Sequence, residues 1–372
     1  LVPWTGHYLN KFSYGTSLFQ LPLFLVAHAW CSLPGSAYAA DGYSLPYQLA
    51  VALSTPLFTI LGLFVLRRLL LRYCDDRATT LALIAIGFGT NLFFYSTVQP
   101  GMTHGYVFFL FALISERTDQ WHRTPKRGIA AAIGLAIGLA AVTRPVDALV
   151  LLVPLLWGVG ARASFTQKMQ QWRTHRMHFV WAIAAGVIAV MPQLLYWKAV
   201  TDHFVFFSYL NERFLFNDPH VVDGLFGYRK GWFVYTPLAL LGFIGLALML
   251  ARRTERGLAV PVLAYFGIAV YVIFSWQQWW YGGSFGCRPL IPMLALLALP
   301  IALLAARMLA RGRLTGLLLG LLILAGVRLN LFQQQQYLAT IIHWDSMTKE
   351  RYWEVFGKDS WKDLTPFPPD AQ

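Results

Sequence analysis

Long apolar runs, separated by short polar connectors, follow one another along almost the whole chain. Runs near the roughly 20 residues that cross the hydrocarbon layer of a bilayer predict transmembrane helices, and the shorter runs must extend into neighbouring connectors. Ten such spans are predicted, at 48–66, 79–98, 105–116, 128–143, 146–160, 179–197, 238–251, 258–275, 290–306 and 316–329. The expected fold class is all-α, a polytopic transmembrane helical bundle of about ten spans.

One further apolar segment, 14–33, does not fit the same pattern, because Pro22 and His28 interrupt it. Either it crosses the membrane, or it lies in the outer interface as a bent, proline-containing helix. The alternation of basic and non-basic connectors along the chain is consistent with both placements. We expect one bundle over 1–329, in which 1–47 form an outer segment, and an outer tail over 330–372.

Composition places the chain in a membrane and explains its charge. Only 13% of residues are charged, whereas soluble domains carry about 25%. Every second connector is basic. Together these connectors hold 18 of the 30 basic residues and five of the 17 acidic ones, which accounts for the whole net charge of +13. Basic loops stay in the cytoplasm, so this charge indicates topology, and we expect no nucleic-acid partner. The basic residues concerned are Arg67, Arg68, Arg72, Arg77, Arg117, Arg123, Lys126, Arg127, Arg162, Lys168, Arg173, Arg176, Arg252, Arg253, Arg256, Arg307, Arg311 and Arg313.

The opposite connectors are predicted to face outward and to carry the function. They are rich in aromatic residues, glycine, proline and histidine, and their charges balance. Loops held by a rigid bundle commonly carry function. The three cysteines have no metal-ligand spacing, so no cofactor is evident from sequence, although a divalent metal is not excluded.

Two outer turns offer candidates for binding an anion. In the first, Arg144 and Pro145 join two apolar helices, and a charge at a membrane helix end is a functional hypothesis by default. The alternative is that Arg144 only pairs with Asp147, one helical turn away. In the second, His104 is either a donor to a phosphate or a structural histidine.

A third candidate lies in the longest outer connector, where Gly224, Gly227 and Gly231 surround Arg229 and Lys230. Glycines allow backbone amides to approach an anion that two cations neutralise, and a lipid-linked phosphate needs such a site. The alternative is a basic anchor at anionic lipid headgroups.

The last candidate stretch, 276–292, reads WQQWWYGGSFGCRPLIP and places Arg288 beside three glycines. An aromatic belt at the membrane interface would account for its tryptophans. It would not account for the glycines with an arginine. Trp279, Trp280 and Tyr281 are therefore expected to contact a sugar or a lipid chain, and Arg288 a phosphate.

Three of these motifs resemble the C-type membrane glycosyltransferases, above all bacterial members related to protein O-mannosyltransferases and the lipid A aminoarabinose transferase. They are TRP at 143–145, FGYRKGWFVYTP at 226–237 and WWYGGSFGCRPLIP at 279–292. The resemblance implies an all-helical enzyme of the bacterial inner membrane. Such an enzyme moves a sugar from a polyprenyl-phosphate donor to an acceptor protein, lipid or glycan on the outer face. It also favours the interfacial placement of 14–33.

The resemblance implies roles for particular residues. Candidates to hold the donor phosphate are Arg144, Arg229, Lys230, Arg288 and His104. The catalytic aspartate of the family follows its first span, and this chain starts at Leu1 beyond that position, so we expect an N-terminal truncation. Asp41 and Asp223 are the weaker substitutes for the base, and Asp41 is also typical of a turn.

The function predicted from sequence is therefore an inverting glycosyl transfer, in which a carboxylate base activates the acceptor and the basic residues stabilise the departing lipid phosphate. Two other classes of function stay open. A transporter or flippase for a lipid-linked sugar would need the same amphiphile site and no base. An enzymatically inactive membrane scaffold would need neither.

Overall fold

The structure, a computed structural model, describes residues 2, 4–209, 212–362 and 364, and α-helices dominate them. Within these ranges the extended pairing is limited to an isolated antiparallel bridge between Phe214 and Trp276. The predicted all-α fold class is confirmed. The α-helices are α1 Gly15–Cys31, α2 Leu45–Leu70, α3 Asp76–Phe88, α4 Leu92–Thr97, α5 His104–Arg123, α6 Arg127–Thr143, α7 Leu152–Leu156, α8 Arg162–Thr174, α9 Arg176–Thr201, α10 Val221–Phe226, α11 Trp232–Tyr235, α12 Ala239–Ala251, α13 Arg256–Phe274, α14 Met293–Arg311, α15 Arg313–Leu338 and α16 Lys349–Val355.

Five of these helices, α2, α9, α13, α14 and α15, are long and apolar enough to cross a membrane, and α6, α12 and the segment Pro145–Leu156 are shorter apolar helices. The predicted count of ten spans is not confirmed. The run at 79–98 divides into α3 and α4. The run at 146–160 begins with the 3-10 helix Pro145–Leu151 and continues as the short α7. Pro145 sets this start, because it cannot donate the backbone hydrogen bond that would continue α6.

The basic connectors meet at one end of the bundle, which we call the basic end. Arg72 binds the carboxylates of Glu116 and Asp119, and so joins the connector after α2 to the end of α5. Further contacts link the remaining basic connectors in turn, namely Lys168 with His122, Gly158 with Gly257, and Arg307 with Glu255.

The predicted outer connectors meet at the opposite end, which we call the aromatic end. The contacts that join them are Arg144 with Pro289, Tyr95 with Phe285, Glu212 with Trp276, and Lys230 with Trp344. The alternation predicted from charge is therefore present in the structure. Which end faces the cytoplasm follows from the positive charge alone.

The core lies around α14 and the periphery at α9. Two thirds of the apolar window of α14 is buried (67%), compared with 11% for α9. Yet α9 lies close to α6, because glycines replace side chains at the contact. A Cβ atom on Gly134 would lie 1.9 Å from the Ala182 carbonyl oxygen, and one on Gly138 would lie 2.6 Å from that of Gly186.

The first and the last turns of helix α1 both contact residues at the aromatic end of the bundle. At its start, a Cβ atom on Gly15 would lie 2.5 Å from Thr143 Oγ1, so α1 packs against the end of α6. Near its end, His28 Nδ1 lies 2.6 Å from the hydroxyl of Tyr47, at the start of α2. Pro22 lies inside the helix. Interfacial placement of α1 stays a prediction.

Helix α15 continues past the predicted end of its span at 329, to Leu338. Its last turns carry polar side chains that are buried and hydrogen-bonded: Asn330 donates to the carbonyls of Phe88 and Thr90, and Gln333 to the hydroxyl of Tyr352. Polar sequence here belongs to the helix because these donors are satisfied inside the protein. Residues 363 and 365–372 of the predicted tail, and residues 1 and 3 of the predicted outer segment, lie outside the described residues.

Candidate functional site

The turn that ends in Arg288 forms the centre of the candidate site. Its backbone is left-handed at Tyr281 (φ +56°), Gly282 (φ +64°) and Gly286 (φ +59°), a region that favours glycine. A Cβ atom on Gly286 would also lie 2.9 Å from Cβ of Tyr235. The glycines noted in the sequence therefore shape the turn.

Arg288 lies half-buried in this turn, at the start of the short 3-10 helix Arg288–Leu290. Its Nη2 atom donates to the Tyr281 carbonyl oxygen at 2.8 Å, and Nη1 lies 3.8 Å from the Met102 sulfur. Within the described part of the chain no carboxylate lies within 4.0 Å of it. A guanidinium has five N–H donors, so Arg288 keeps both charge and donors available for a ligand.

Arg144 contacts both His104 and Pro289, the residue that follows Arg288. Arg144 Nη1 is 3.3 Å from the carbonyl oxygen of Pro289 and 3.4 Å from Nδ1 of His104. Its Nε atom forms an ion pair with Asp147 at 3.4 Å. The structure therefore contains the pairing of Arg144 with Asp147, and a role of Arg144 in binding a phosphate stays a prediction.

His104 is buried at the start of α5, where its ring packs edge-on against Tyr95, with 5.1 Å between ring centroids. The Tyr95 hydroxyl in turn accepts a hydrogen bond from the Phe285 amide at 2.9 Å. This contact fixes the turn before Arg288. Sequence reasoning missed Tyr95, because it lies within an apolar run on another helix.

Arg229 and Lys230 belong to the same region but have protein partners. Arg229 forms an ion pair with Asp345, with 2.9 Å between Nη2 and Oδ2. The Lys230 amine donates to the carbonyl oxygens of Ser284 and Trp344 and is only 3% exposed. The pKa of Lys230 is lowered to about 7, above all by burial and also by the nearby cations Arg229 and Arg288, while Asp345 acts in the opposite direction.

The site therefore carries an excess of positive charge. The cations Arg144, Arg229, Lys230 and Arg288 are accompanied by two carboxylates, those of Asp147 and Asp345. With Lys230 protonated, two positive charges remain uncompensated by these partners. An excess of this kind attracts an anionic ligand.

The tryptophans of the predicted contact surface pack against the ring of His220 and the guanidinium of Arg229. The ring of His220 stacks on Trp279, with 5.2 Å between centroids, and the guanidinium of Arg229 lies 3.8 Å from the centroid of Trp280. Both indoles are partly exposed. Tyr281 is different, because its hydroxyl donates to the Ile273 carbonyl oxygen at 2.9 Å and so holds the turn in place.

The glycines around Arg229 and Lys230 do not present free amides to an anion. The N–H groups of Gly224, Gly227 and Gly231 donate to the carbonyls of His220, Asp223 and Gly227, at 2.9, 2.8 and 2.7 Å. Our expectation that these glycine amides approach an anion was wrong, because the loop satisfies its own backbone, whereas a phosphate-binding role of Arg229 and Lys230 stays a prediction. In the turn before Arg288, by contrast, the N–H groups of Gly282 and Gly283 donate to no acceptor among the described residues.

The two acids named as possible bases lie in different settings. The Asp41 carboxylate is exposed and accepts hydrogen bonds from the amides of Tyr43 and Ser44, at 2.8 and 2.9 Å, and these bonds lower its pKa. This is the geometry of a turn. Asp223 lies 3.2 Å from Nδ1 of His220, the ring that stacks on Trp279. Asp223 is therefore the acid connected to the aromatic part of the site.

Two residues of the tail that contact the site have no signal in the sequence. They are Trp344, whose carbonyl binds Lys230, and Asp345, whose carboxylate binds Arg229, and they lie 114 and 116 residues from these partners.

The described ranges bring together no group of three or more His, Cys, Asp or Glu side chains that could hold a metal ion.

Fold and site together define a class, an all-helical polytopic membrane protein with a cationic, aromatic-lined site at one end of its bundle. Similarity to one solved structure makes the class more specific. The crystal structure of ArnT from Cupriavidus metallidurans in the apo state matches with a TM-score of 0.53 and 16% sequence identity, over 91% of this chain and 61% of that chain.

This similarity concerns the fold. The fold agrees with the all-helical fold that the resemblance to C-type membrane glycosyltransferases implies. The chain spans 61% of the length of ArnT. No family model matches the chain, and no curated protein does so either.

Proposed function

We propose that this chain is a membrane glycosyltransferase that moves a sugar from a polyprenyl-phosphate donor to an acceptor on the extracytoplasmic face. The observation that carries the proposal is Arg288, a half-buried guanidinium that has no carboxylate partner in the described ranges and is followed by Pro289, whose carbonyl oxygen accepts from Arg144. Taking a cation even partly out of water without a counter-ion is costly, and a phosphate would supply the missing charge. The ArnT-like fold supports the same class of reaction.

The aromatic end faces outward in this proposal, because the basic connectors gather at the other end and positively charged loops remain in the cytoplasm. The protein would then be a multi-pass protein of the bacterial inner membrane. A donor would place its phosphate at Arg288 and Arg144. Its sugar would reach Trp279 and Trp280, whose partly exposed faces suit stacking against a sugar ring.

The reaction we propose is a single displacement with inversion. A carboxylate takes the proton of the acceptor hydroxyl or amine, and the freed electron pair attacks the anomeric carbon. The bond between that carbon and the phosphate oxygen breaks, and its electrons remain on the phosphate. Arg288 and Arg144 stabilise the growing negative charge of this leaving group. Among the described acids, Asp223 is the proposed base, because His220 connects it with Trp279.

A transfer assay in vesicles tests this proposal. The purified protein, reconstituted in proteoliposomes, is incubated with a polyprenyl-phosphate sugar whose sugar carries a label, together with candidate acceptors. We expect lipid phosphate to be released and the label to appear on an acceptor. Replacing Arg288 by alanine should lower turnover by about 100-fold, as for the loss of a donor to a transition-state oxyanion. Arg288→Lys keeps the positive charge and loses the planar guanidinium with its paired donors. Its turnover should lie between those of the wild type and Arg288→Ala.

The matched control is Arg313→Ala, which removes an exposed arginine at the start of α15, at the basic end. It should leave turnover unchanged. Full activity of Arg288→Ala would overturn the assignment of this residue. Movement of labelled lipid across the vesicle without cleavage would instead support the flippase, and neither cleavage nor movement would support the scaffold.

A further inference from the structure

A cavity of about 570 Å³ lies between α6, α9 and the short α7, away from the cationic site. Its walls are almost entirely apolar, and its volume falls within the range of about 300–1,000 Å³ that is typical of ligand sites. Because α9 is only 11% buried, the cavity lies at the lipid-facing edge of the bundle. The wall includes Ile133, Ile137, Leu151, Leu155, Ile183 and Val187.

One end of the cavity is polar and reaches the basic end of the bundle. Trp121, His122 and Trp172 line this part, together with His178, whose Nδ1 accepts a hydrogen bond from the Trp121 indole at 3.0 Å. Thr118 also lines it, and its buried hydroxyl has no hydrogen-bond partner among the described residues. A buried hydroxyl without a partner is uncommon, and a ligand could supply one.

The sequence around this polar end is mostly basic, and the nearby acids Glu116 and Asp119 on α5 are both paired with arginines. No aspartate or glutamate occurs over residues 120–146 or 148–201. The connectors from these ranges contribute Lys126, Arg127, Arg162, Arg173 and Arg176, besides Arg123, which is paired with Asp119, and Lys168, which is buried. Arg127, which begins α6 and is exposed, interacts electrostatically with His178 in the cavity wall.

We propose that this cavity holds an acyl chain of an anionic phospholipid, whose headgroup lies at the basic rim around Arg127. The apolar walls suit the hydrocarbon chain, and Trp121 and Trp172 suit the boundary between chain and headgroup. The rim has charge complementary to an anionic headgroup. This site is at the opposite end from Arg288, and it does not rest on the proposed transfer reaction.

Native mass spectrometry of the full chain tests the proposal. The protein, purified in a mild detergent, is incubated with dioleoylphosphatidylglycerol or with dioleoylphosphatidylcholine, which have the same acyl chains and differ in charge. We expect one tightly retained phosphatidylglycerol per chain and weaker retention of phosphatidylcholine. Arg127→Gln should lower the preference for phosphatidylglycerol about fivefold, the effect of one cation near an anionic headgroup.

A second variant tests the cavity itself. Ala141 lines the cavity on α6, so Ala141→Phe should fill part of it and lower retention of both lipids. The matched controls are Arg313→Gln, at a basic connector outside the cavity, and Ala184→Phe, on the exposed face of α9. Both should behave as the wild type. A thermal unfolding curve establishes that Ala141→Phe is folded, and Arg127→Gln provides the test if it is not.

Two results would overturn the proposal. Equal retention of the two lipids by the wild-type protein would show that headgroup charge is not recognised. Wild-type retention by both Arg127→Gln and folded Ala141→Phe would show that lipid binds elsewhere on the surface.

Discussion

Arg144 and Asp147 form an ion pair at the junction between α6 and the 3-10 helix that follows it, with 3.4 Å between Nε and Oδ2. The Asp147 side chain is only 1% exposed, and neither of its carboxylate oxygens accepts a hydrogen bond from the described residues. Asp147 therefore depends on Arg144 for its compensation. In return it holds the guanidinium beside Pro289 and His104.

The first prediction concerns the stability of this pair. Arg144→Met should lower the free energy of unfolding by about 3–5 kcal/mol, because it leaves a buried carboxylate uncompensated. The double variant Arg144→Met with Asp147→Leu should regain most of that loss. Unfolding curves in detergent measure both. A double variant as unstable as Arg144→Met alone would show that the two side chains are not energetically coupled.

The second prediction concerns the turn that positions Arg288. Gly286→Ala should cost about 1–2 kcal/mol for the left-handed backbone, with a further cost from the contact with Tyr235. The displaced turn should also lower transfer activity. Gly267→Ala is the control, since nothing lies within 4 Å of its Cβ position in α13, and it should be neutral or slightly stabilising. Wild-type stability of Gly286→Ala would contradict the role of the turn.

The third prediction concerns pH. Burial holds the pKa of Lys230 at about 7, so its positive charge is lost as the pH rises from 6 to 8. Affinity for a polyprenyl-phosphate sugar should therefore fall about threefold to tenfold over this interval, because a nearby cation is removed. The ligand is a phosphodiester and does not itself titrate there. Binding titrations at pH 6, 7 and 8 measure the change.

The control for pH is Lys230→Met, which removes the titrating amine. Its affinity should vary less between pH 6 and 8 than that of the wild-type protein. An unchanged pH profile in Lys230→Met would assign the titration to another group.

The fourth prediction concerns Asp345, one of the two carboxylates that pair with the cations of the site. If the surrounding cations bind an anion, Asp345→Asn should raise affinity for the lipid phosphate about twofold to threefold, because it removes a repulsive charge. If Asp345 only holds Arg229 in place, the same change should lower affinity. Glu350→Gln, an exposed acid at the start of α16, is the matched control for charge. Tighter binding of the lipid phosphate by Asp345→Asn than by Glu350→Gln would support the repulsive role of Asp345, and weaker binding would support its role in holding Arg229.

Sequence predicted the helices and the two ends of the bundle because both depend on local composition. Apolar runs indicate which segments contact the hydrocarbon of the bilayer, and the positions of the basic residues indicate the orientation in which the helices insert. The grouping of Arg144, Arg288 and His104 was also predictable, since all three lie in connectors of the same parity. The exact number of spans was not, because Pro145 converts a predicted span into a 3-10 helix followed by a single short α-helix.

What the sequence did not predict is how each cation is partnered. Lys230 and Arg229 looked equivalent to Arg288 as free cations, yet their partners Trp344 and Asp345 lie in a tail with no recognisable motif. Likewise, Gly227 and Gly231 looked like an anion-binding loop, and their amides are bonded within the loop. Such partnerships depend on contacts between distant residues, which local patterns do not record.

The bond between Lys230 and the Trp344 carbonyl has a consequence for biosynthesis. These residues are 114 positions apart, and several helices of the bundle lie between them. A ribosome therefore makes the amine long before it makes this acceptor. During synthesis Lys230 lacks this acceptor until residue 344 has been made, so this contact of the site forms only after the helices between the two residues have been synthesised.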